Sequence, residues 1–138
     1  MKKTITFISD THTKHKHVTG ELPGGDILIH CGDISNRGYM NEIKNFLEWF
    51  DGIKGYEHKI FIAGNHDFGF QDNPNLCAKL LQDYPTVTYL EDTSVIIHIH
   101  YDYGMKEIDG MTFINACNLG EDYMYQNGPI TLDFEFDV

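Results

Sequence analysis

The stretch "TITFISDTH", residues 4–12, carries the plan of the whole chain. Ile5, Phe7 and Ile8, interleaved with threonines, make a strand-forming run. The polarity then changes abruptly at Asp10, Thr11 and His12. The same event recurs twice. "DILIHCG" (26–32) runs into Asp33, and "KIFIAG" (59–64) runs into Asn65, His66 and Asp67. Near-continuous apolar runs of this kind suit strands buried on both faces. In open α/β sheets, ligand sites collect beyond the carboxyl ends of the strands. Three strands therefore deliver Asp, His, Asp, Asn and His to one edge, and "HIH" (98–100) adds His98 and His100.

The segments between the strands read as helices. In "GYMNEIKNFLEWF" (38–50), Met40, Ile43, Leu47 and Phe50 recur at helical spacing, with Ser35 or Asn36 placed to cap the start. A second helix is predicted from "NPNLCAKLLQDY" (73–84), with Asn73 as cap and Pro74 at the first helical position. Pro85 ends it, and "TVTYLE" (86–91) reads as a further strand. The second half changes character. "MKEI" and "MTFINAC" flank Asp109-Gly110, a strong signal for a tight hairpin, and "GPITLDFEF" (128–136) alternates as a final strand. Alternating strand and helix followed by antiparallel strands predicts a layered α/β sandwich with mixed sheets. No linker divides the chain, so residues 1–138 read as a single domain.

Composition narrows the partners. The formal net charge is −11, so a long polyanion such as duplex DNA is repelled. Bound cations would invert that field locally. No apolar run is long enough to span a bilayer, and no membrane partner is expected. The opening "MKKTITFISD" lacks the length and cleavage site of a signal peptide and reads as the first strand. Three widely spaced cysteines, Cys31, Cys77 and Cys117, form no C-x-x-C pair; they read as small buried hydrophobes in a reducing cytoplasm.

Side chains at i and i+2 of an extended segment point to the same side. Asp10 and His12 can then chelate one ion together, and His98 and His100 can line one wall. Carboxylate, imidazole and amide oxygen without thiolate suit a borderline or harder divalent ion, Mn²⁺ foremost, with Fe²⁺, Zn²⁺ or Ni²⁺ as alternatives. Gly32 and Gly64 stand where the backbone must turn sharply or come close to a neighbour. Arg37 in "SNRG" is placed to offer phosphate a bidentate donor. His15 and His17 in "THTKHKH" read as residues of a solvated loop.

In this order, "DTH" (10–12), "GD" (32–33), "GNHD" (64–67) and "HIH" (98–100) resemble the motif set of the calcineurin-like metallophosphoesterases. "SDTH", "LIHCGDISNRG", "FIAGNHD", "FINAC" and "YMYQNGPITLDF" are similar to the metallophosphoesterase-domain, Icc-like phosphodiesterase branch, and the likeness covers nearly the whole chain. The resemblance implies an αββα sandwich and a two-metal site. It assigns Asp10, His12 and His100 to the first ion, Asp33 as the bridge, and Asn65 and His98 to the second. It places His66 beside the ions as phosphate-binding residue or general acid, with Asp67 orienting its ring. It implies hydrolysis of a phosphodiester or small nucleotide by metal-activated water.

The chain departs from the family in one segment. The family has a further metal-binding histidine, in a segment like "THGPP", between its third and fourth motifs. Here the interval from Asp67 to His98 contains no histidine, and Ile97 stands where the family has glycine. The fold is therefore read as shortened, with a seam near Ile97 and a second metal site short of one ligand. His30 and His58 are weak substitutes. A sheet edge exposed by the loss would favour a homodimer. The alternative reading is a catalytically weak or inactive metal- or nucleotide-binding relative.

Overall fold

The computed structural model describes residues 2–91, 103–108, 111–120 and 122–135. Its frame is a five-stranded mixed sheet in the order β4-β3-β2-β1-β7. β1 (Lys2–Ile8), β2 (Ile27–His30), β3 (His58–Phe61) and β4 (Val87–Tyr89) run parallel, and β7 (Ile130–Glu135) pairs antiparallel with β1. β5 (Tyr103–Ile108) and β6 (Met111–Ala116) pair as a separate two-stranded sheet, with Ile108 opposite Met111. A single parallel bridge from Ser9 to Cys117 brings the end of this hairpin to the end of β1. The chain is thus an α/β protein with a mixed sheet.

Helix α1 (Met40–Gly52) covers one face of the sheet. Ile43, Phe46, Leu47 and Phe50 are buried along one stripe of it, spaced as the sequence pattern predicts. Phe46 sits at the centre, 5.0 Å from the His30 ring, 5.0 Å from Phe50 and 5.2 Å from Phe61 between centroids. Ile8, Leu28 and Phe61 supply the sheet side of the same core. The buried Lys59 ammonium donates to the carbonyls of Asp51 and Ile53, which closes the carboxyl end of α1.

Three local expectations change. In β2 and β3 fully buried residues alternate with partly buried or exposed ones, so these strands are not buried on both sides. Helix α1 is capped at Tyr39, not at Ser35 or Asn36, and the Glu42 carboxylate accepts from the backbone N–H groups of Tyr39 and Arg37. Ser35 is instead drawn inward to the loop after β3. The "THTKHKH" segment forms two short 3₁₀ turns, His15–His17 and Thr19–Glu21, and His15 is completely buried against Trp49. The Pro74 start of helix α3 (Pro74–Leu81) stands as predicted, preceded by a short helix α2 (Phe68–Asp72).

Candidate metal centre

The site lies beyond the carboxyl ends of β1, β2 and β3. Asp10, His12 and Asp33 converge there, each offering a ligand atom within 4.8 Å of the others. His12 Nε2 is 3.9 Å from Asp10 Oδ1 and 3.7 Å from Asp33 Oδ2. All three residues are at most 1% exposed. Two ligands of one divalent ion, each bound at about 2.0–2.2 Å, stand at comparable separations.

The way Asp10 and His12 come together is not the one their spacing predicts. The segment is not extended. Asp10, His12 and Thr13 have φ of 54°, 40° and 66°, and Asp33 has 53°. This left-handed region is rare for residues with a side chain. The loops after β1 and β2 enforce it by zipping together. The N–H groups of Asp10, His12 and Thr13 donate to the carbonyls of Gly32, Asp33 and Ile34, each at 3.0 Å. Such strain costs about 1–3 kcal/mol per residue and persists where the surroundings over-determine it.

Electrostatics fit a cation. Burial pushes the His12 imidazole below its usual range, against the pull of Asp33 and Asp10. A neutral ring bonded at 2.9 Å to the Ser35 carbonyl carries its proton on Nδ1, which turns the Nε2 lone pair toward the carboxylates. Three buried electron-rich atoms facing one another are costly without a shared positive charge. The donor set, carboxylate and imidazole without thiolate, suits the ions expected from the sequence.

A supporting layer holds these ligands. Ser9 Oγ donates to Asp10 Oδ2 at 2.6 Å. Ser9 N–H donates to Asn118 Oδ1, the Asn118 N–H returns to the Ser9 carbonyl, and the Asn118 amide donates to Asn127 and Gly128 carbonyls. His66 N–H donates to Asp33 Oδ1 at 2.9 Å. A Cβ on Gly64 would lie 2.2 Å from that same Asp33 oxygen, and one on Gly32 would lie 2.8 Å from Gly64 N. Both glycines are therefore demanded by close approach. His30 accepts from Gly32 N–H at Nδ1 and so donates from Nε2 to Thr11 Oγ1 at 2.9 Å. It props the loop from beneath, and is no substitute ligand. His58 is exposed at the start of β3, away from the carboxyl ends where the cluster sits.

His66 stands beside the centre, its ring 4.9 Å from that of His12. Asp67 does not orient it. The Asp67 carboxylate accepts from Ile34 N–H, Ser35 N–H, Ser35 Oγ and Gly64 N–H, tying the loop after β2 to the loop after β3. Burial pushes this carboxyl up, while those donors favour its ionised form. The His66 ring is held instead by the Asn36 carbonyl at 2.9 Å from Nδ1. Asn65 is exposed on the turn between Gly64 and His66, and Arg37 is exposed just before α1. His98, His100 and the seam at Ile97 lie outside the described residues. All three cysteines are free and buried, and burial pushes the Cys31 and Cys117 thiols up to about 12. No helix among the described residues is long and apolar enough to cross a membrane.

The motif order and the converged ligands agree with one family, calcineurin-like phosphoesterase, whose model matches residues 3–129. The chain belongs to that family. Among its relatives is a UPF0046 protein of Caenorhabditis elegans, 40% identical over 80 residues, covering 58% of this chain and 28% of that protein. Metallophosphoesterase domain-containing protein 1 of Homo sapiens is 39% identical over 87 residues, covering 61% of this chain and 26% of the relative. A second C. elegans UPF0046 protein is 32% identical over 123 residues, covering 81% of this chain and 38% of its own length. The chain thus spans well under half the length of these relatives.

The sequence pattern named Asp10, His12 and Asp33, which the fold brings together, and His66, which stands beside them. It did not find the roles of Ser9, Asn118 and Asn36. Ser9 stood within "SDTH" without a function, and nothing in the sequence marks Asn118, which acts across 109 residues of chain.

Proposed function

We propose that this calcineurin-like phosphoesterase hydrolyses a small phosphodiester or nucleotide at a divalent-metal centre held by Asp10, His12 and Asp33, with Mn²⁺ as the preferred ion. The observation that carries the reading is the buried convergence of two carboxylates and one imidazole. A divalent ion bound there supplies Lewis acidity and a water of lowered pKa. The chain's own residues do the rest. Asn65, on the exposed turn, would hold a second, weaker ion together with Asp33 and His98, in a site short of one ligand. His66, with Nδ1 held by Asn36, presents Nε2 as the proton donor to the leaving oxygen. Arg37 lies on the exposed rim and offers a donor fork to a phosphate oxygen.

The test is hydrolysis of bis(p-nitrophenyl) phosphate with added Mn²⁺, for the wild type and for Asp33→Asn. Metal-dependent turnover that disappears in the variant is expected. Tight binding of one ion per chain with no turnover would replace this reading with that of a metal-binding relative without catalysis.

A further inference from the structure

The turn after Asn118 brings an aromatic side chain to the metal centre. Tyr123 is 43% exposed, yet its ring centroid is 5.5 Å from that of the buried His12. Its backbone sits at φ 58°, a conformation that glycine adopts freely and a bulky residue does not. The turn is held firmly: Tyr123 N–H donates to the Gly120 carbonyl, Gly120 N–H to the Met124 carbonyl, and the Asp122 carboxylate accepts from Met124 N–H. The Lys14 ammonium, two residues beyond His12, donates to the Tyr123 carbonyl. The turn is thereby tethered to the loop that carries a metal ligand. Glycine would meet the backbone's need without strain, so what the residue adds is an exposed aromatic face beside the reacting centre.

We propose that Tyr123 is a specificity-determining residue whose ring forms one wall of the substrate site and selects phosphoesters bearing a planar aromatic group next to phosphorus. The proposal rests on the hydrolytic reading above for where phosphorus binds. Offset or edge-to-face contact between rings favours an aromatic substituent over an aliphatic one. The Lys14 tether keeps the wall in place, which lowers the ordering cost of that contact.

The experiment compares p-nitrophenyl phenyl phosphate with p-nitrophenyl methyl phosphate. Both release the same nitrophenolate, so their ratio of kcat/KM reports the second substituent. Mn²⁺ affinity and circular dichroism are measured for each variant, and rates are taken at metal saturation. In Tyr123→Ala the phenyl-to-methyl ratio is expected to fall about three- to tenfold, the size of one ring–ring contact. Tyr123→Phe keeps the wild-type ratio. An unchanged ratio in Tyr123→Ala overturns the proposal. If the wild type hydrolyses neither ester, the hydrolytic reading fails, and calorimetric binding of phenyl phosphate against methyl phosphate to the Mn²⁺-loaded protein decides. A phenyl preference lost in Tyr123→Ala then upholds the wall. Equal binding of the two, or binding of neither, overturns it.

Discussion

The loops that follow β1 and β2 differ sharply from the loop that follows β3. The first two are zipped to each other, buried and strained, and they hold Asp10, His12 and Asp33 at separations suited to a shared ion. The third presents Asn65 to solvent and His66 half-buried, and it is fastened from below through Asp67. The difference teaches that the loops after β1 and β2 set a buried acidic and imidazole cluster rigidly, while the loop after β3 leaves Asn65 exposed and His66 half-buried beside it. Pre-organisation is bought with backbone strain, and access with a looser grip.

The largest effect should come from breaking the buried side. Asp33→Asn is expected to weaken the first metal equivalent by more than the roughly 10–100-fold that loss of an outer partner costs. Asn65→Ala should leave that equivalent nearly intact and weaken only a second one. Titration with Mn²⁺, read by calorimetry, separates the two, and equal losses in both variants would remove the distinction drawn here.

Acid should attack the buried side from behind. His15, three residues beyond His12, is completely buried against Phe46 and Trp49 and bonded to Asn45 Oδ1 at 3.0 Å. Burial pulls its imidazole down from 6.5 to about 4. The unfolded chain therefore binds a proton between those values that the folded chain does not. Stability from this group is complete above pH 6.5 and is lost as pH falls toward 4. The total is on the order of 3 kcal/mol at most. His15→Gln should flatten the dependence of urea unfolding on pH across that window. An unchanged slope would show that other groups dominate it.

A smaller effect should come from the supporting layer. Ser9→Ala removes the donor that fixes Asp10 Oδ2 and leaves every ligand atom in place. Metal affinity is expected to fall about tenfold, the low end for an outer partner, with the circular dichroism spectrum unchanged. A variant that binds metal as tightly as wild type would mean that the zipped backbone and the Cys117 thiol hold Asp10 without Ser9.

Much of this was legible in the chain. The strand-to-polar transitions located the candidate cluster at one sheet edge, because a parallel sheet places the ends of β1, β2 and β3 side by side. The helical spacing of Ile43, Leu47 and Phe50 located the stripe that buries α1. The period-2 argument for Asp10 and His12 reached the right pair for the wrong reason, since the segment is folded back and not extended. Asp67 was misjudged because its neighbour in sequence, His66, is not its partner in space. His15 was misjudged because a run of histidines and lysines looks solvated until Trp49 and Phe46 are seen to enclose one member of it.

Residue types and their order determined the family, the mixed α/β sheet and which residues could form the buried acidic and imidazole cluster, since those follow from local polarity and periodicity. Tertiary structure alone decided the left-handed backbone at Asp10, His12 and Asp33, the hold of Asn118 on Ser9, the turn that sets Tyr123 beside His12, and the separate hydrogen-bond partners of His66 and Asp67. Each of these depends on contacts between segments distant in the chain, and such contacts leave no periodic trace in sequence.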